Sequence, residues 1–334
     1  ATVTLNVGSV DDLPVATNDT FAATEDTVLN GNLGSNDTLS GGTGKDIYVF
    51  NKGDGVDTVF DTDANSNSPD ASVLVLGDGV TGSDLKFRVG SLAVDIGNGD
   101  VIHFSGFDQF NPTASTPLGE IRLADGKSMS YADILAQGFD IDGTEGNDNN
   151  DIPGQPRNLV GTGVTDRIRG LGGNDLLFGL DGDDMLDGGN GMDSLVGGAG
   201  ADELLGGSEN DILWGDVGND MLSGGDGIDE LQGGDGDDLL DGGAGDDALF
   251  GQAGVDYLAG GDGNDFLWGD TSAADADNDT LDGGAGNDQL VGYAGNDTYL
   301  FGRGYGQDII FDQDATAGNI DAVVFAADVT PDEV

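Results

Sequence analysis

The chain has 334 residues, 64 of them acidic and 10 basic, for a formal net charge of −54, with 62 glycines and no cysteine. That charge excludes nucleic acid and anionic membrane as partners, since both need basic surface, and a chain this acidic and glycine-rich does not hold a compact state by apolar burial alone. No disulfide can supply the difference, no apolar run is long enough for a membrane span, and no basic-then-apolar stretch opens the chain.

Residues 1–7, ATVTLNV, alternate as a strand does. The following VDDLPVATNDTFAATEDT resembles the junction between tandem cadherin-like or VCBS repeats of large bacterial surface proteins, so residues 1–30 are expected to be the end of such a repeat and its linker. In residues 31–49 two aspartates, Asp37 and Asp46, stand nine apart in glycine-rich surroundings. Residues 50–142 read as a small, mainly antiparallel β module, with strands at 72–76, 84–89, 91–96 and 100–104 between Gly-Asn-Gly and Asp-Gly turns, and a short helix at 131–136. Residues 46–61, DIYVFNKGDGVDTVFD, align with residues 297–312, DTYLFGRGYGQDIIFD, at an offset of 251, and Asp70-Ala71 keep that offset with Asp321-Ala322. A second β module is therefore expected to start within 301–334 and to be cut off at Val334.

Between the two copies lies a strict period. From Gly161 to Trp268 the sequence divides into twelve blocks of nine, GTGVTDRIR, GLGGNDLLF, GLDGDDMLD and onward to GGDGNDFLW, each with Gly first, Asp sixth and Ile or Leu eighth. A solvated acidic tail has no need of such a period, whereas stacked repeats do. With one reliably apolar side chain per pass, no pass folds alone, and passes must stack. Strands stacked at about 4.8 Å line the sixth-position carboxylates into a ladder of like charge that repels itself without a cation. A carboxylate beside bare carbonyls is an all-oxygen set suited to a hard cation such as Ca²⁺.

These blocks resemble the GGxGxDxUx nonapeptide of the RTX (repeats-in-toxin) calcium-binding proteins. The resemblance implies an all-β fold: a calcium-bound parallel β-roll over residues 143–300, two nonads per coil, with the flanking β modules related to haemolysin-type calcium-binding proteins. It implies several calcium ions, held by the side chains of Asp37, Asp46, Asp148, Asp166, Asp175, Asp184, Asp193, Asp202, Asp211, Asp220, Asp229, Asp238, Asp247, Asp256, Asp265, Asp279, Asp288 and Asp297. The backbone carbonyls of Gly170, Gly179, Gly188, Gly197, Gly206, Gly215, Gly224, Gly233, Gly242, Gly251, Gly260 and Gly283 complete the implied set. It also implies export through type I secretion and a secreted, cell-surface location.

Departures from the repeat carry expectations of their own. Val164 and Glu209 replace the fourth-position glycine, which puts the loops of Asp166 and Asp211 in doubt, because a side chain there is disfavoured at positive φ. Arg157 takes a sixth position, so its coil is expected to cap the roll, and DTSAADADN adds five residues before Asp279 and should bulge from one loop. The seventh and ninth side chains face outward. One outward surface collects Phe178, Trp214, Phe250 and Trp268, and is expected to dock against a flanking domain, another copy, or a sugar or peptide ligand.

No GxSxG or HExxH pattern occurs, and the single histidine, His103, lies on a predicted strand, so no enzymatic activity is expected of the segment. Three readings stay open: a calcium-dependent structural and adhesive segment of a surface protein, the secretion and stabilisation tail of an exported enzyme or toxin, and a self-assembling surface-layer or filament component.

Overall fold

The computed structural model describes residues 20–22, 28–30, 38–42, 45–61, 72–88, 92–109, 111–113, 117–148, 158–270, 277–311, 319–327 and 329. Residues 1–7, Asp37, Arg157 and most of the DTSAADADN insertion lie outside them, and so do the expectations placed there. The chain divides into two compact units, Ala1–Asp140 with Thr162–Thr165, and Ile141–Gly161 with Asp166–Val334.

In the first unit, the strands from Thr20–Ala22 to Val73–Leu76 alternate between two sheets, and later ones add to each sheet by consecutive antiparallel neighbours. One runs in the order Thr20–Ala22, Thr38–Gly42, Val56–Asp61, Val101–Phe104, Leu92–Asp95, Lys86–Arg88; the other runs Ser128–Ser130, Glu120–Arg122, Val73–Leu76, Ile47–Phe50, Val28–Asn30. The module expected to be mainly antiparallel is mixed. Among the described residues, only Lys86–Arg88 with Leu92–Asp95, Leu92–Asp95 with Val101–Phe104, and Glu120–Arg122 with Ser128–Ser130 run antiparallel. The other pairings, such as Val56–Asp61 with Val101–Phe104 and Ile47–Phe50 with Val73–Leu76, are parallel. The connection explains the difference. Tight turns, such as the one with Asn98 at φ 58° between Gly97 and Gly99, return the chain antiparallel, whereas a strand that crosses to the opposite sheet and back arrives parallel. Between the sheets lie Tyr48, Phe50, Leu74, Ile102 and Phe104, all fully buried, with Tyr48 edge-on to Phe104 at 6.3 Å. The predicted helix runs over Tyr131–Gln137. Ser130 caps it, accepting from the amide of Asp133, whose carboxylate in turn accepts from the amide of Ser130, and Gly138 ends it at φ 70°.

The second unit is the roll. Strands alternate between a ten-stranded sheet, from Phe139–Asp142 to Ala322–Phe325, and a nine-stranded sheet, from Leu159–Val160 to Ile309–Ile310. From Leu159–Val160 and Asp166–Gly172 onward the strand pairings are parallel, and within the perfect array the partner is 18 residues on: Leu195 faces Leu213 and Leu213 faces Leu231. The eighth-position side chains line the apolar interior. Ile168, Leu177, Leu186, Leu195, Leu204, Leu213, Leu231, Leu240, Leu249, Leu258 and Leu267 are all completely buried. One inward residue per pass suffices, because every pass is sandwiched between two others.

The two copies of the internal repeat adopt the same local geometry. Tyr48 and Tyr299 are buried at equivalent points, each with its hydroxyl against the glycine seven residues earlier, Gly41 and Gly292. The strand that follows corresponds at an offset of 249, Val73–Leu76 with Ala322–Phe325, two residues short of the 251 that relates the repeats themselves.

Outward side chains fall on the two surfaces expected from alternation. The nine-stranded sheet carries Phe178, Trp214, Phe250 and Trp268 in one row. At its far end Phe250, Phe266, Trp268 and Tyr293 pack into a cluster, with Trp268 edge-on to Phe266 at 5.4 Å. The ten-stranded sheet exposes Met185, Met221, Leu239 and Tyr257 instead.

Candidate metal centre

Each corner of the roll is built by one nonad. The strand passes through the first three positions, the fourth and fifth make the turn, and the sixth-position Asp closes it before the next strand. The sixth-position side chain folds back over its own loop. A Cβ built on Gly206 would stand 2.6 Å from Oδ2 of Asp211 and 2.7 Å from the carbonyl oxygen of Gly224, one coil on. Only glycine leaves room for both oxygens, which is the reason for its invariance at the first position.

The sixth-position aspartates form two continuous ladders. In one, the amide of Asp148 donates to Oδ1 of Asp175, and the pattern continues through Asp193, Asp211, Asp229, Asp247, Asp265 and Asp288 to Asp308. In the other it runs from Asp166 through Asp184, Asp202, Asp220, Asp238, Asp256, Asp279 and Asp297 to Asp321. Every bond measures between 2.7 Å (Asp148 to Asp175) and 3.0 Å (Asp297 to Asp321). The ladders use one oxygen of each carboxylate. The other, Oδ2, is buried and meets no hydrogen-bond donor among the described residues in Asp175, Asp184, Asp193, Asp202, Asp211, Asp220, Asp229, Asp238, Asp247, Asp256, Asp265, Asp279 and Asp288.

What stands beside Oδ2 is another acceptor. The carbonyls of Gly170, Gly179, Gly188, Gly197, Gly206, Gly224, Gly233, Gly242, Gly251, Gly260 and Gly283 each crowd the same first-position glycine that the carboxylate of the neighbouring loop covers. Gly215 holds the equivalent position in strand Ile212–Val217. Asp46, in the first unit, is fully buried as well, and its amide donates to Oγ of Ser72 where Asp297 finds Asp321. Asp37 lies outside the described residues.

Burial drives these carboxyls toward the neutral form. Desolvation pushes Asp184 and Asp256 up to about 8, and Asp202, Asp211, Asp238, Asp265 and Asp279 to about 7, with neighbouring ladder carboxylates adding to the shift. The protein has no cation of its own to set against them: between Arg169 and Arg303 the sequence contains no Lys, Arg or His. Among the described residues, no three His, Cys, Asp or Glu side chains gather at one point. The available ligand atoms are therefore single carboxylates flanked by backbone carbonyls, an all-oxygen set that, once ionised, fits a hard cation such as Ca²⁺.

The two departures at the fourth position leave the ladder bonds in place. Glu209 adopts the left-handed conformation, φ 77°, and the ladder through Asp211 is undisturbed at 2.8 Å on both sides. Asp166, behind Val164, is fully buried and donates to Asp184 at 2.7 Å.

Two features escaped the sequence reading. Asp308 and Asp321 end the ladders, at spacings of 20 and 24 that no nine-residue template finds. The internal repeat held the signal for Asp308, since Asp57 occupies the equivalent place in the first copy. The fifth position carries a second, exposed ladder: Oδ1 of Asn219 accepts from the amide of Asp237, and Oδ1 of Asp237 from Val255. An enrichment in Asn and Asp at that position was its only trace.

The model of the family described as RTX calcium-binding nonapeptide repeat (4 copies) matches residues 28–57, 160–195, 187–222, 223–258, 250–273 and 273–308, more than half of the chain. No curated protein matches it.

Proposed function

The chain belongs to the RTX calcium-binding nonapeptide repeat family, and from that premise we propose that it is a calcium-folded structural segment of a secreted surface protein. The sixth-position aspartates would hold the ions with Oδ2, and the first-position glycine carbonyls of the adjoining coil would face them. When bound, calcium supplies the positive charge that the ladders lack. The chain's own contribution is to bury the carboxylates, fix each by one amide bond, and bring a carbonyl against it.

The observation that carries this reading is the buried, donor-free Oδ2 beside a carbonyl oxygen, repeated along both ladders with no basic side chain between Arg169 and Arg303. Metal affinity that exists only in the folded state is folding free energy. At the low calcium of a cell interior the acidic chain would stay unfolded and fit for export, and at extracellular calcium, about 10⁻⁴–10⁻³ M, it would close into the roll. An adhesive role in the parent protein is consistent with the cadherin-like linker at residues 1–30. Equilibrium dialysis against ⁴⁵Ca, with Mg²⁺ as competitor, tests the assignment. Cooperative uptake of several ions per chain, unaffected by Mg²⁺, supports it, and a folded chain that takes up no calcium refutes it.

A further inference from the structure

The second position of the nonad is glycine in most blocks. Five residues that replace it are held at positive φ: Leu171 at 79°, Leu180 at 89°, Asp216 at 73°, Gln252 at 84° and Tyr293 at 78°. A side chain there is strained, and the stack does not need it, since Gly198, Gly207, Gly225, Gly234 and Gly243 serve at the same position. The strained residues are not spread evenly. All but Leu171 lie on the side of the nine-stranded sheet, and Leu180, Asp216 and Gln252 each stand two residues after an aromatic ring, Phe178, Trp214 and Phe250. On the intervening strands Val196 and Gly198, and Gln232 and Gly234, stand opposite Trp214 and Asp216.

High and low rows thus alternate along the sheet. Between them runs an open groove of about 610 Å³ that reaches from Phe178 past Trp214 to Gln252. Phe178 and Trp214, both half-buried, stand two strands apart, about 10 Å at the usual strand spacing. An extended peptide repeats every two residues, about 7 Å, and does not match this step. Three residues of polyproline II, about 9 Å, come closer, but that backbone offers only acceptors. The groove is itself rich in acceptors: Asp181, Asp216 and Asp235 line it, while the amide of Gln252 is spent on Gln232 and that of Gln232 on Glu230. The fitting ligand brings donors along its whole length, carries no negative charge, and repeats every 10 Å or so. A β-1,4-linked hexose chain does all three, its alternate rings presenting the same face to a stacking aromatic.

We propose that the groove of the nine-stranded sheet binds an uncharged β-1,4-linked polysaccharide, with sugar rings on Phe178 and Trp214 and their hydroxyls donating to Asp181, Asp216 and Asp235. The test uses the full chain in saturating calcium, with cellohexaose as probe, chitohexaose as a second uncharged chain, and decaproline as competitor class, read by tryptophan fluorescence and calorimetry. Cellohexaose or chitohexaose is expected to bind, and Trp214→Ala or Phe178→Ala to weaken it at least about tenfold, the loss of one stacking contact and its dispersion. Asp216→Gly separates ligand binding from folding: it restores the glycine that the repeat prefers, so it should fold at least as well, by calcium-dependent circular dichroism, and yet bind the sugar less tightly. The proposal is overturned if neither oligosaccharide binds, if decaproline binds in their place, or if Trp214→Ala changes only the sedimentation of the chain, which would make the face a contact between copies.

Discussion

The amide of Asp211 donates to Oδ1 of Asp229, 2.8 Å away and one coil on, while Oδ2 of Asp229 meets no donor among the described residues. The two oxygens of one carboxylate therefore do different work, and a substitution can separate them. Asp229→Asn keeps an acceptor for the amide and removes the charge. It is expected to raise the calcium concentration at half-folding severalfold while increasing the β signal of the metal-free chain, both followed by circular dichroism. Asp241→Asn, exposed on the outer face, should move neither.

The raised carboxyl pKa values give the metal-free chain a pH dependence of definite sign. In the unfolded chain these groups titrate near their ordinary 3.8; in the fold, desolvation moves Asp184 and Asp256 to about 8 and Asp238 to about 7. The folded state then binds more protons between those limits, so its stability rises as pH falls from about 8 toward about 4. Metal-free protein is expected to gain β structure at pH 5 that it lacks at pH 8. In calcium the trend reverses, because protons compete for Oδ2, and the calcium midpoint should climb as pH drops below about 7. Paired titrations at several pH values, with and without EDTA, check both slopes.

Gly206→Ala places a methyl group 2.6 Å from Oδ2 of Asp211 and 2.7 Å from the carbonyl oxygen of Gly224. The Gly224 oxygen is backbone and the Asp211 carboxylate is tied by the amide of Asp193, so the strand must shift. An overpacking cost of about 1–3 kcal/mol is expected, together with weaker calcium binding. Thermal melts in calcium measure the first and isothermal titration the second. Ser208→Ala, two residues away on the same strand, serves as control.

Leu213→Ala empties a fully buried site in mid-roll and should cost about 2–5 kcal/mol. Since each coil contacts only its neighbours, the loss is expected to split one cooperative melt into two, read by calorimetry. The same change at Leu205, half-buried on the outer face, should leave a single transition.

Much of the roll is legible in the sequence. Gly, Asp and Leu at fixed places in a nine-residue frame gave the strand, the corner and the interior, because each has one physical task. Leu213 can only point inward, Gly206 can only stand where two oxygens leave no room for a Cβ, and Asp211 can only close the loop. The first unit was less legible. Its strands at Val73–Leu76 and Val101–Phe104 fell where alternation put them, yet their parallel pairing did not follow from alternation, which is the same for either direction. Asp308 and Asp321 were hidden by irregular spacing. The strained side chains of Leu180, Asp216 and Gln252 could be seen as departures from glycine, but only φ showed that they remain in the glycine conformation.

Across the DTSAADADN insertion the amide of Asp256 still donates to Asp279, and that of Asp265 to Asp288, each 23 residues apart in place of 18, at an unchanged 2.9 Å. The ladder counts coils and ignores residues. Sequence length and axial length are thus separate quantities in this protein, and five extra residues between two ladder aspartates leave the spacing of everything stacked beyond them intact. An insertion between one ladder aspartate and the next is accordingly tolerated wherever the coil that follows returns its Asp to the stack.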